Sequence, residues 1–340
     1  MQLETLRNLY DHQGPFATVY LESRSPAADA EHQLQLRWDD ARHQLAEAGA
    51  PDSVLESLDD AVHAAELTQV QATGKVLVAN TDGVLLDDAF DASQGAGDQV
   101  YWRDAPELGD YLRERDRVVQ MLVAITDQTG ATIRQLHVAE SHRVDQSSST
   151  DIDGDDAVSK LRENGMAHSR IQNRADEVVK QNLRDVADHI TDVARRWHPD
   201  VVVLAGEVQG RSALREELAD EQLTLREIDE GGIEDDTAEA ILTEQLQSLA
   251  EELTAQRIQD NAHRYEYGLA HNTALAGADA VAQAAEQGAV ETLLLEYDRP
   301  ATNEADLVAA AMRTGADASL VETEVEDGVA ALLRFEAATR

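Results

Sequence analysis

One apolar period constrains the fold of this chain more than any other feature. Between residues 179 and 197, apolar side chains recur at steps of four, three, four, three and four, which predicts an amphipathic helix. Pro199 ends this helix, because proline cannot continue the helical hydrogen-bond ladder. Val201 to Ala205 is wholly apolar, as is typical of a strand buried on both faces of a parallel sheet. A helix followed directly by such a strand predicts an α/β protein.

The remaining patterns divide the 340 residues into three predicted domains. Residues 1–115 begin with a strand at Gly14 to Leu21 and predict an N-terminal α/β domain. Residues 116–262 open with a hairpin over Val118 to Val138 and predict a middle domain with a mixed sheet. Residues 263–340 alternate glycine-terminated helices with buried strands, which predicts an α/β/α sandwich.

The composition excludes some classes of site. The chain has no cysteine, so disulfides and thiolate chemistry are excluded. No apolar run approaches the roughly 18 residues of a membrane span, and the first residues show no secretion signal, so we expect a cytoplasmic protein without a membrane partner. The histidines are scattered, and the sequence contains no G-x-S-x-G motif. A calcium loop that began at Asp151 would need glutamate at the position of Arg162. We therefore expect no metal and no cofactor.

The formal net charge is -39, with acidic residues spread along the whole chain. This style is typical of proteins from salt-rich cytoplasm. In molar salt the screening length is only about 3 Å, so the charge alone does not exclude an RNA partner.

The polar segment from Val144 to Asn173 lacks a regular apolar period and predicts a long functional loop. From Lys160 to Arg184 the sequence contains six basic and three acidic residues, a local reversal of sign. Two interpretations stay open: the charges pair with neighbouring acids on one surface, or the arginines contact phosphate groups with polar residues beside them. The candidate binding residues are Lys160, Arg162, Asn164, Gly165, His168, Arg170, Gln172, Asn173 and Arg174.

Several stretches resemble a known family. Gln283 to Glu296 and Gly328 to Phe335 are similar to the last domain of archaeal and eukaryotic class 1 peptide chain release factors and of Pelota. The order of hairpin, loop, helix and strand in the second region resembles their middle domain. Gly14 to Tyr20 and Gly206 to Val208 resemble most closely the bacterial and archaeal release-factor-like group that includes the mycobacterial dormancy protein and Balon-type ribosome hibernation factors.

This resemblance implies a transfer-RNA-shaped, monomeric factor that binds ribosomal RNA in the ribosomal A site, with the long loop directed towards the peptidyl transferase centre. Release factors carry Gly-Gly-Gln at that loop tip, whereas Gly165 and Gln172 here are seven positions apart. The resemblance therefore implies a non-catalytic hibernation and stress factor, with delivery by a Tu-type elongation factor as a further expectation. The alternatives are a peptidyl-tRNA hydrolase of the Vms1 kind, with Gln172 positioning the water, and an acidic stress protein that never meets the ribosome.

Overall fold

The computed structural model describes residues 4–22, 30–64, 74–90, 97–126, 130–139, 143–152, 168–233 and 235–335. These residues form two compact units, which are described separately. The first unit comprises Met1–Asp116 and Gln256–Arg340, and the second comprises Arg117–Ala255.

The N-terminal part of the first unit is an antiparallel sheet in the order β3-β2-β1-β4. Trp38, Leu45 and Leu58 of two helices cover one face of this sheet, and the indole Nε1 of Trp38 donates a 2.6 Å hydrogen bond to Asp59. The elements in chain order are α1 (Glu4–Leu9), β1 (Phe16–Glu22), α2 (Ala30–Glu47), α3 (Asp52–Ala64), β2 (Gly74–Asn80), β3 (Gly83–Ala89), β4 (Gln99–Arg103) and α4 (Gly109–Arg115).

The second unit is a five-stranded mixed sheet in the order β7-β6-β5-β8-β9. Alternate residues of β5 explain why helices cover both faces, since Leu122 packs against α5 and α6 while Val123 packs against α7. The elements are β5 (Val118–Thr126), β6 (Ala131–Ala139), β7 (Arg143–Ile152), α5 (His168–Trp197), β8 (Val201–Gly206), α6 (Val208–Glu217), β9 (Leu225–Glu227) and α7 (Asp236–His271).

The C-terminal part of the first unit is an α/β/α sandwich, as predicted, with strand order β10-β13-β11-β12. Leu293 and Leu295 face α8 and α9, whereas Leu294 faces Tyr265 near the end of α7. The elements are β10 (Ala274–Ala276), α8 (Ala278–Glu286), β11 (Val290–Glu296), α9 (Glu304–Arg313), β12 (Asp317–Val321) and β13 (Val329–Leu333).

The α/β class is confirmed, and the described residues form three sheets. The division into three domains stays a prediction. The first and third predicted domains lie in one compact unit and share a core in which Tyr20 and Val78 join Leu293 and Val308. The predicted boundary at residue 262 falls inside α7.

A buried carboxylate marks the place where the chain leaves and re-enters the first unit. Asp116 accepts hydrogen bonds of 2.9 Å from the Ser319 hydroxyl and from the Leu320 backbone N–H, both on β12. Arg257, at the start of the returning segment, donates to the Asp116 carbonyl oxygen. Asp116 therefore connects both chain segments, the one that leaves the first unit and the one that returns to it, to the edge strand β12.

The predicted loop from Val144 to Asn173 is wrong in its extent. Residues 143–152 form β7, and α5 begins at His168, eleven residues before the first apolar residue of the period. Both elements escaped prediction because their backbone hydrogen bonds need no apolar pattern: β7 pairs with β6 along its length, and the first turns of α5 consist largely of polar residues that tolerate a helix.

Candidate functional site

The candidate site lies at the carboxyl edge of the sheet in the second unit. Thr126, the last residue of β5, is paired with Gly206 at the end of β8 and with Ala131 of β6. Ala131 is in turn paired with Ile152, the last residue of β7. The chain therefore leaves β7 at the same edge where β5 and β8 end, which is the edge where ligands bind in open α/β sheets.

Hydrogen bonds at the centre of this edge hold the end of β5 close to the end of β8. The Glu207 N–H donates to the Thr126 carbonyl oxygen over 3.0 Å, and the Thr126 hydroxyl donates to the Ala205 carbonyl oxygen over 3.0 Å. Gly206 lies between them with φ +87°, and a Cβ at this position would be 2.1 Å from the Thr126 carbonyl oxygen. Only glycine fits here, at the turn that leads from β8 into α6.

A buried arginine connects α6 to the residues that follow β9. The sequence patterns did not identify this arginine as a candidate residue. Arg211 on α6 is 2% exposed. Its Nη1 donates to the Ile228 carbonyl oxygen over 2.7 Å and to the Asp229 carboxylate over 2.8 Å. An arginine in a polar helix gives no sequence signal of burial, because its partners follow β9 and become neighbours only through the sheet.

The predicted binding residues divide into two groups. Lys160, Arg162, Asn164 and Gly165 lie outside the described residues. The backbone of the remaining five belongs to the first two turns of α5, and their side chains also lie outside the described part. These five residues are His168, Arg170, Gln172, Asn173 and Arg174.

The sequence of the first turn of α5 is unusual for the N-terminus of a helix in this acidic chain. The N-terminus of a helix bears partial positive charge, which acidic residues in the first turn usually neutralise. The first turn of this 30-residue helix contains no acidic residue. In a chain with 67 acidic residues, this local absence leaves the helix end suited to an anion such as a phosphate.

One basic residue between Lys160 and Arg184 supports the interpretation that these charges form ion pairs on the protein surface. Arg184, in the middle of α5, places its Nε 3.6 Å from the Glu217 carboxylate on α6. Both side chains are partly exposed, so this contact contributes little to stability. Arg184 therefore belongs to the helix surface that faces α6.

Within the described ranges, no group of three or more histidine and acidic side chains is arranged to hold a metal ion. The same residues contain no helix that is both long and apolar enough to cross a membrane.

A comparison with known proteins matches the part of the chain that contains this site. Residues 120–271, somewhat less than half of the chain, match the family described as bacterial archaeo-eukaryotic release factor family 2. Two curated relatives, uncharacterized protein Rv2629 and uncharacterized protein MT2704 from two strains of Mycobacterium tuberculosis, are each 30% identical over 216 residues. The alignment covers 63% of this chain and spans 56% of each relative's length.

The comparison with solved structures found translation factors at low sequence identity. The ribosome-bound archaeal Pelota model has 16% identity and a TM-score of 0.42, covering 99% of this chain and 95% of that one. Archaeal termination factor aRF1 has 17% identity and a TM-score of 0.23, covering 98% and 97%. Saccharomyces cerevisiae Dom34 has 10% identity and a TM-score of 0.42, covering 81% and 77%. The region from residue 120 to residue 271, which contains the carboxyl edge and the start of α5, is therefore similar to the bacterial archaeo-eukaryotic release factor family 2.

Proposed function

We propose that this protein is a ribosome-binding factor that occupies the A site of idle ribosomes without releasing peptide. The observation that carries the proposal is the family match over residues 120–271, the region in which the polar segment leaves the carboxyl edge of the sheet. The missing Gly-Gly-Gln sequence between residues 144 and 173 supports a binding role over peptide release. The proposal includes action as a monomer in the cytoplasm and delivery by a Tu-type elongation factor.

The local charge supports contact with RNA. The ribosome presents phosphate groups, and phosphate contacts supply most of the sequence-independent affinity of proteins for nucleic acid. Arg170 and Arg174 lie one turn apart at the positive end of α5, and Arg162 precedes them in the polar segment. The rest of the acidic chain would be repelled at low salt, so contact with RNA would concentrate at this end of α5.

Cosedimentation tests the proposal directly. Ribosomes from starved and growing cells are pelleted through a cushion in molar salt, which screens the net charge of -39. We expect the protein in the ribosomal fraction of starved cells, and competition by an A-site transfer RNA. Its absence from that fraction would refute the proposal. Repeating the pelleting with and without elongation factor Tu and GTP tests the delivery step.

Replacement of Arg162, Arg170 and Arg174 by glutamate is expected to weaken ribosome binding by at least about a hundredfold. The reason is that three phosphate contacts are lost and three repulsive charges are introduced. The slope of the logarithm of affinity against the logarithm of salt concentration should fall by about two to three. Pelleting across a salt series measures both quantities.

The matched control replaces Arg42, Arg195 and Arg196 by glutamate, which changes the net charge equally at exposed positions on α2 and α5. This control should keep nearly full affinity. Equal losses in the two triple variants would show that only total charge matters, and the arginines near the start of α5 would then be surface ion-pair residues.

The alternative function is hydrolysis of peptidyl-tRNA on stalled ribosomes with Gln172 positioning the water. The backbone of Gln172 is part of α5, so this glutamine does not lie at the tip of a loop as it does in Gly-Gly-Gln. We expect no peptide release above background from stalled complexes with the unaltered protein, measured with labelled nascent chains. Turnover that disappears in Gln172→Ala would favour the hydrolase.

A further inference from the structure

The end of α7 carries a stacked pair of aromatic rings that none of the sites above includes. The ring centroids of Tyr267 and His271 are 3.9 Å apart, and the ring planes are inclined by only 19°. Tyr267 is 66% exposed, whereas Tyr265 and Gly268 beside it are buried. Tyr265 packs into the core of the sandwich, and a Cβ at Gly268 would lie 2.6 Å from the Cβ of Ala274. The stacked pair therefore occupies the side of α7 that faces away from the sheet.

The helix itself fixes the orientation of both rings. Residues four positions apart are neighbours on one helix face, so Tyr267 and His271 stack without help from another element. The Nδ1–H of His271 donates to the Tyr267 carbonyl oxygen over 2.8 Å, since a carbonyl oxygen can only accept. Nε2 is therefore the imidazole nitrogen that remains for a ligand. Because stacking and this hydrogen bond both hold the imidazole, the pair is a planar surface that is ordered before a ligand arrives.

Other exposed apolar side chains lie at the same end of the sandwich. The Leu333 N–H donates to the Thr273 carbonyl oxygen over 2.8 Å, so the end of β13 runs beside the residues that follow α7. Phe335, just after β13, is 58% exposed, and Leu269 is 47% exposed. With Tyr267, these are three of the six large apolar side chains that are strongly exposed in the described ranges. An exposed apolar patch of this kind marks an interaction surface.

The same stretch is poor in negative charge. Between Asp260 and Asp279 the sequence contains one acidic residue, Glu266, whereas the whole chain contains 67 among 340 residues. Arg264, one turn before the stacked pair, lies 2.8 Å from the Glu291 carboxylate, and both side chains are about half exposed. Exposed ion pairs are weak, so Arg264 exchanges this carboxylate for a phosphate group at small cost. A polyanion meets less repulsion here than on a surface of this chain's average composition.

We propose that the Tyr267–His271 pair is a stacking surface for an unpaired base of single-stranded RNA, with Arg264 at a flanking phosphate. Every base has an apolar face, and stacking on an exposed aromatic side chain typically strengthens binding by about five- to a hundredfold. A planar ring pair with polar edges fits a base, which has hydrogen-bonding edges, better than it fits the aliphatic side chains of a protein partner. This site deepens the proposed function and rests on it in one respect: ribosomal RNA supplies the unpaired base.

Fluorescence anisotropy with a labelled single-stranded oligoadenylate tests the surface. The full chain and its variant with Arg162, Arg170 and Arg174 replaced by glutamate are both titrated in molar potassium chloride. We expect saturable and equal binding, because stacking releases no counterions and survives molar salt, whereas the phosphate contacts proposed at the start of α5 do not. Duplex RNA of the same length, whose bases are already stacked on one another, should compete about tenfold more weakly.

Tyr267→Ala should weaken oligoadenylate binding by about tenfold or more, because the stacking ring is lost. Tyr267→Phe should keep the affinity, since stacking needs the ring and not the hydroxyl. Leu36→Ala is the matched control, because Leu36 is another strongly exposed apolar side chain of the same unit, and it should leave binding unchanged. Circular dichroism checks that each variant keeps its helix content.

A pair of charge variants tests the phosphate contact at about 0.15 M salt, where such a contact is not fully screened. Glu291→Gln leaves Arg264 without its carboxylate partner and should tighten oligoadenylate binding about threefold. Glu56→Gln removes one exposed carboxylate from α3 in the same unit and should leave the affinity unchanged. Equal affinities in the two variants would overturn the contact between Arg264 and phosphate.

Absence of saturable oligoadenylate binding, or equal affinities of Tyr267→Ala and the unaltered chain, would overturn the stacking surface. Loss of ribosome binding in Tyr267→Ala without any binding of the oligonucleotide would assign this face to a protein contact, which also overturns the surface. Ribosome pelleting remains the separate test of the proposed function. Oligoadenylate binding that depends on Tyr267, in a protein that does not pellet with ribosomes, would support the stacking surface and refute that function.

Discussion

Glu304→Ala is expected to lower the free energy of unfolding of the first unit by about 3 to 5 kcal/mol. Glu304 is 7% exposed, and its carboxylate receives both Nη atoms of Arg113 and the Ala301 backbone N–H over 2.8 Å. Removing the carboxylate leaves the buried Arg113 charge without its paired carboxylate, because within the described residues only the Glu296 and Arg299 carbonyl oxygens still accept hydrogen bonds from it, and this desolvation dominates the loss. Denaturant dependence of amide hydrogen exchange in α9 measures the change for this unit alone.

An exposed ion pair in the same unit provides the control. Arg264 and Glu291 are also 2.8 Å apart, but each is about half exposed. Glu291→Ala should therefore cost no more than about 1 kcal/mol. Replacing both buried partners, with Arg113→Met and Glu304→Leu, should recover most of the loss because no unpaired charge remains. A Glu304→Ala variant as stable as Glu291→Ala would contradict the assignment.

Gly206→Ala is expected to destabilise the second unit by about 3 kcal/mol or more. The new Cβ would lie 2.1 Å from the carbonyl oxygen and 2.8 Å from the nitrogen of Thr126, so β5 and β8 would have to separate at the carboxyl edge. The positive φ of +87° adds strain for any side chain. Hydrogen exchange of the β8 amides reports the loss.

Gly49→Ala separates the effect of the steric clash from the effect of the positive φ. Gly49 has a similar φ of +94°, but a Cβ there would meet nothing within 4 Å. This variant should cost only the conformational strain, about 1 to 2 kcal/mol, measured by exchange of the β1 amides. Equal losses of unfolding free energy in the two variants, each measured in its own unit, would show that the close approach to Thr126 is not a packing constraint.

The sequence predicted elements well wherever one face is strongly apolar. The period from Val179 to Trp197 placed the body of α5, and the apolar run from Val201 placed β8, because burial on both sides of a sheet requires such patterns. Prediction failed for elements that are held by backbone hydrogen bonds and have no apolar pattern in their side chains. The strand β7 and the first turns of α5 have no apolar period, so they were taken as a loop.

Some missed elements carried a usable signal. The strand β4 contains Val100, Tyr101 and Trp102, a β-branched and aromatic run that favours a strand and pairs with β1. The candidate binding residues were chosen from the local basic charge and from the polar residues and glycine beside it. The structure adds that five of them begin a helix whose first turn contains no acidic residue.

The sequence by itself determined the α/β class, the body of each apolar helix and strand, and the reversal of charge between residues 160 and 184. These properties depend on neighbours within a few turns, so periodicity and composition report them. The tertiary structure decided which distant groups meet: Arg113 with Glu304, 191 positions away, and Asp116 with Ser319 and Leu320 of β12. Partners so far apart are selected by packing of the whole core, which no local pattern encodes.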